Sequence, residues 1–134
     1  MKKFDHYVSN LQVLSRADQE DLSNEFIIGG IIDKFFVQFE LAWKVLKVLL
    51  QYEGRNECES GSPRTIIKVA YSIYDFIDED VWLGMLRARN DLAHVYDAEA
   101  AVRLTKQIIS DYIPAFQALE KGIVCRYKDE LEQL

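Results

Sequence analysis

The stretch from residue 31 to residue 51, IIDKFFVQFELAWKVLKVLLQ, constrains the fold more than any other. Its polar residues Asp33, Glu40, Lys44, Lys47 and Gln51 fall on one narrow stripe at 3.6 residues per turn. Ile32, Phe35, Phe36, Phe39, Ala42, Trp43, Leu46, Leu49 and Leu50 occupy much of the remaining surface. A helix so broadly apolar must be covered on more than one side. A second copy of the chain is the favoured cover, because a domain of 134 residues has few helices with which to wrap one. The alternative is a central helix surrounded by its own chain. Glu40 and Lys44 stand four apart and are expected to pair as a surface i,i+4 ion pair. Gly29 and Gly30 mark either a weak point or bend in the helix, or a place where another helix comes close.

The remaining segments also read as helices. Phe4, Tyr7, Val8, Leu11 and Leu14 make a first amphipathic helix. Residues 15–25 are a polar connection, with Ser23 as the expected cap of the helix that follows. Gly54 suits a C-terminal cap, and residues 55–61 form a polar loop. Ser62 then caps, and Pro63 takes the first helical position. Ile66, Ala70, Ile73 and Ile77 form the next apolar stripe, and Asp78-Glu79-Asp80 complements the positive end of the helix after it. Asp97 caps a last helix lined by Ala101, Leu104, Ile108, Tyr112, Ala115, Leu119 and Ile123, which Pro114 should kink near Ile113. The charged tail 126–134 is expected to fray. No period-two run is bounded by turn signals, and six Gly and two Pro leave little room for a turn-rich β fold. The expectation is a single all-α domain over residues 1–134, an up-and-down bundle of about five helices that pairs as a homodimer.

A net charge of −6 argues against a strong nonspecific nucleic-acid binder, though not against one local cationic site. No apolar run reaches a membrane span, and the start MKKFDHYVSN lacks the apolar core of a signal peptide. Cys58 and Cys125 stand alone without metal-ligand spacing, so free thiols, a cytoplasmic setting, no metal and no cofactor are expected.

The chemistry-bearing residues concentrate in residues 82–96, WLGMLRARNDLAHVY. Trp82, Met85, Leu86 and Ala93 recur at helical spacing, and Arg89 falls on their stripe, seven residues after Trp82. An arginine so placed is paired or employed. Asn90 and His94 are four apart, so the amide is positioned to orient the imidazole. Tyr96 follows at the turn before Asp97. Each residue also has a structural reading. Arg89 can pair with an acid such as Asp91 or Glu40 at a dimer interface, His94 can cap a helix end, and Tyr96 can pack its ring with the hydroxyl exposed. His6 has no such context and reads as an ordinary surface histidine.

The run Arg89-Asn90-Asp91-Leu92-Ala93-His94-Val95-Tyr96 is an R-N-x-x-x-H-x-Y pattern that resembles the HEPN superfamily, and more closely its toxin branch. Phe39-Glu40-Leu41-Ala42-Trp43-Lys44-Val45-Leu46-Lys47 resembles the signature of the nucleotidyltransferase substrate-binding proteins, which are HEPN members. Ser62-Pro63-Arg64, Ile66-Ile67 and Val81-Trp82-Leu83 follow in that family's order. Where the family often has small polar residues between Asn and His, this chain has Asp91-Leu92-Ala93, which adds a negative charge. The resemblance implies a helical bundle whose paired subunits join their Arg-His motifs in one cleft. It implies RNA cleavage without metal, with His94 for proton transfer, Arg89 for phosphate and Asn90 for positioning. It also implies a partner minimal nucleotidyltransferase, encoded nearby as an antitoxin, that places AMP on Tyr96. A second function in the same family is that of a noncatalytic substrate- or nucleotide-binding subunit of that partner, and a third possibility is a helical dimer that serves only as a scaffold.

Overall fold

The computed structural model describes all residues, 1–134. The chain is all-helical: α1 (Lys2–Leu14), α2 (Glu25–Tyr52), α3 (Pro63–Ile73), α4 (Glu79–Asn90), the single turn α5 (Ala93–Tyr96), α6 (Ala98–Gln107) and α7 (Ile113–Tyr127). A π-helical segment, Ile108–Tyr112, joins α6 to α7. Six helices of ten residues or more therefore stand where about five were expected, because the last is divided. The division falls where Pro114 enters the first turn of α7, since its nitrogen cannot donate to the preceding turn.

α2 is the hub. Its 28 residues span about 42 Å, with α1, α3, α4 and α6 packed against it. Asn24, not Ser23, caps it, accepting from the Phe26 and Ile27 N–H groups. Ser23 bonds Asp21 instead. Gly54 ends α2 at φ +82°, where a side chain would be strained. Gly54 N–H reaches the Gln51 carbonyl and Arg55 N–H the Leu50 carbonyl, so two otherwise orphaned carbonyls are satisfied.

The breadth of the apolar surface on α2 is answered largely within the chain. Ile28, Ile32, Phe35, Phe39, Ala42, Val45, Leu46, Leu49 and Leu50 are all buried by the chain's own helices. Among the large apolar residues of α2, only Phe26, Val37 and Tyr52 stay exposed. The preference for a second copy as the cover is corrected to that extent. Gly29 and Gly30 do not interrupt the helix, and a Cβ at either would meet nothing within 4 Å. Within one protomer they mark no close approach.

The core closes through aromatic contacts. Phe35 stacks on Tyr112 with centroids 5.3 Å apart, and Trp82 meets Phe116 edge-on at 5.6 Å. A polar clip joins three helices beside it. The Tyr7 hydroxyl donates to the Phe116 carbonyl, and the buried Gln38 amide donates to the Tyr7 carbonyl while accepting from Asn10. Every polar atom of Gln38 is thus engaged, as burial requires. α3 stops at Ile73, so Ile77 lies beyond it, although it still packs in the core. The charged tail continues α7 to the buried Tyr127, and the N-terminal ammonium donates to the Leu131 carbonyl at 2.7 Å. No helix is long and apolar enough to cross a membrane.

Candidate active site at the end of α4

α4 begins with Asp78 as cap, its carboxylate accepting from the Asp80 and Val81 N–H groups. Trp82, Met85 and Leu86 anchor it in the core. The expectation of continuous helix through residue 94 is corrected: α4 ends at Asn90, where Asp91 turns extended. Asp91 Oδ1 accepts from Ala93 N–H at 2.9 Å, offering the backbone a local turn in place of the next helical bond. Ala93 is consequently exposed rather than on an apolar stripe. Asn90 and His94 do not share a helix face, and no hydrogen bond joins them. Asn90 points to solvent.

The Asp91 carbonyl, not Asn90, orients the imidazole, lying 3.0 Å from His94 Nδ1. A carbonyl can only accept, so Nδ1 carries the hydrogen and Nε2 is the nitrogen left for proton exchange. The ring is backed by Phe36 of α2, edge-on with centroids 5.3 Å apart. Arg89 faces the same helix one turn along. Its Nη2 donates to Glu40 Oε1 at 2.6 Å, with both side chains about one-third exposed. Glu40 Oε2 accepts from the Trp43 indole N–H at 3.0 Å. The expected Glu40–Lys44 pair is therefore not formed. Glu40 turns to Arg89, within one protomer rather than across an interface, because α4 brings a guanidinium nitrogen to 2.6 Å from its carboxylate.

Tyr96 stands in the α5 turn, 85% exposed, with Leu92 and Val95 also turned outward. Asp97 ends that turn and caps α6, accepting from Glu99 and Ala100 N–H groups. His94 stands on the wall of two cavities. One, of about 700 Å³, includes Arg87, Arg103 and Tyr112 in its lining. The other, of about 680 Å³, runs between α2 and α6 past Ile28, Ile32 and Ala101, and takes in Tyr96. Arg89 lines neither. Sequence reading missed Arg87, Arg103 and Phe36 as neighbours of the site. Phe36 and Glu40, four apart on α2, carried the only local sign, a shared face.

The helical bundle thus sets the Arg89 guanidinium, the oriented His94 imidazole and the exposed Tyr96 phenol near one end of α4. The family model described as "Nucleotidyltransferase substrate binding protein like" matches residues 2–124, and the chain belongs to that family. It is also similar to the probable ribonuclease HepT of Haemophilus influenzae, 29% identical over 105 residues that cover 77% of this chain and 72% of that protein.

Proposed function

We propose that the protein is a toxin-type endoribonuclease that acts as a homodimer without metal and is silenced by a partner minimal nucleotidyltransferase. The observation that carries this reading is the placement of Arg89 and His94 against neighbouring turns of one α2 face, at Glu40 and Phe36. One turn of helix is about 5.4 Å, the scale of a single phosphodiester. In this reading Arg89 neutralises the phosphorane and His94 moves a proton through Nε2. Asn90, which points outward, contacts the RNA rather than the imidazole. The name of the similar protein, a probable ribonuclease, supports the activity. The exposed Phe26 and Val37 supply apolar surface for a second copy.

The partner acts at Tyr96. Its exposed hydroxyl attacks the α-phosphate of ATP, pyrophosphate leaves, and an AMP ester remains. The added phosphate brings charge and bulk to the cavity wall that Tyr96 shares with His94. The purified chain should cleave single-stranded RNA in EDTA, and His94→Ala should abolish cleavage while retaining helicity and twice the chain mass by light scattering. A wild-type protein that leaves RNA whole supports the second reading, a noncatalytic subunit that presents substrate to the nucleotidyltransferase, which the family's description favours.

A further inference from the structure

Glu40 is the acidic group that the fold brings to this site, and holding Arg89 does not exhaust what its geometry permits. We propose that Glu40 is the general base of the cleavage reaction, an inference that rests on the ribonuclease reading above. Each of its oxygens is aimed by one donor: Oε1 by Arg89 Nη2 at 2.6 Å, Oε2 by the Trp43 indole at 3.0 Å. An ionised carboxylate has about four lone-pair directions, so two stay open. The side chain is 30% exposed, which lets a substrate hydroxyl reach them.

The Arg89 guanidinium holds the phosphate in this step. It has five N–H donors in one plane, and Glu40 engages Nη2 alone. A phosphate gripped by the remaining donors lies beside the Glu40 carboxylate on the same fork. The ribose 2′-hydroxyl that attacks this phosphorus sits next to it, where the base is needed. His94 stands about one helical turn away along α2, at Phe36. In the proposed step His94 is the acid that acts on the leaving oxygen.

The step balances. Glu40 takes the 2′-hydroxyl proton as the O2′ electron pair forms a bond to phosphorus. The P–O5′ bond breaks, its electron pair passes to O5′, and O5′ takes the proton from Nε2 of protonated His94. The products are a 2′,3′-cyclic phosphate and a 5′-hydroxyl end. Glu40 is left protonated and His94 neutral, and exchange with solvent resets both. His94 Nδ1–H keeps its carbonyl partner throughout.

The test is the pH dependence of RNA cleavage in EDTA by full-length wild type, Glu40→Gln, Glu40→Asp and His94→Ala, with circular dichroism as the fold check. Glutamine keeps the shape of the side chain and an oxygen for Arg89 but cannot act as the base. Expected is a fall in kcat of about 100-fold or more in Glu40→Gln with KM little changed, loss of the acidic limb of the profile, and partial recovery in Glu40→Asp. A Glu40→Gln enzyme that is slower but keeps the acidic limb overturns the proposal and leaves Glu40 as a holder of Arg89. A fully active Glu40→Gln, beside an inactive His94→Ala, overturns it while the ribonuclease reading stands. An inactive wild type overturns both.

Discussion

Truncation of Arg89 should separate stability from activity. In Arg89→Ala the bond from Nη2 to Glu40 is lost, a 2.6 Å contact between side chains 34% and 30% exposed. Solvent screens a pair that open, so after discounting for exposure it contributes about 0–1 kcal/mol. The carboxylate left behind is not stranded. It keeps the Trp43 indole N–H at 3.0 Å and gains water. The penalty of about 3–5 kcal/mol for orphaning one member of a buried pair therefore does not apply. Unfolding free energy should fall by about 1 kcal/mol or less. Removing a positioned donor from the site of developing charge costs far more in rate, about 100- to 1,000-fold. Arg89→Lys should lie between, because it keeps the charge and loses the fork. Urea unfolding and initial rates of RNA cleavage in EDTA, measured on the same preparations, give both quantities. A stability loss above about 3 kcal/mol would make Arg89 a structural residue and refute the argument. Unchanged cleavage would remove it from the site.

Four further outcomes are expected. Tyr96→Phe should keep the fold and the RNA-cleaving activity but escape silencing on coexpression with a minimal nucleotidyltransferase, and intact mass should show AMP added to the wild type only; equal silencing of both would mean that the partner acts by binding alone. Gly30→Ala should stabilise by about 1 kcal/mol, because a Cβ there meets nothing and helix propensity improves. Gly122→Ala should destabilise by about 1–2 kcal/mol, because its Cβ would run into the Phe76 ring that stacks on Tyr74, and overpacking outweighs the helical gain; urea unfolding measures both, and a destabilised Gly30→Ala would reveal another chain on that face. Burial raises the phenols of Tyr7, Tyr74, Tyr112 and Tyr127 above the usual tyrosine range. The unfolded chain sheds those protons first, so their contribution is complete below about pH 10 and declines above it, which melting temperatures recorded across that range would check.

The expectations that held were local ones. Asp97 caps its helix, Asp78, Glu79 and Asp80 stand at the positive end of α4, Ser62 and Pro63 open α3, and Gly54 closes α2, because each depends only on backbone groups within a few residues. Arg89, His94 and Tyr96 stood out in the chain because charge and chemistry are properties of residue type. The failed expectation of a helix continuous from Trp82 to His94 turned on a competition that periodicity does not weigh. The Asp91 carboxylate takes the Ala93 N–H and ends the helix first.

By itself the sequence determined the helical class, the positions of most helix ends and the residue types available to the site. Their partners were decided by tertiary structure alone. Glu40 looks like half of an i,i+4 pair with Lys44 until α4 crosses α2 at a register that sets Arg89 beside it. Phe36 looks like core until the α5 turn lays His94 against its edge. The cover of α2 was undecided in the same way, because an apolar face states that it must be buried and not by what. Hydrophobic periodicity is read along one helix, whereas a contact between two helices depends on their crossing and relative rotation, which packing of the whole core selects.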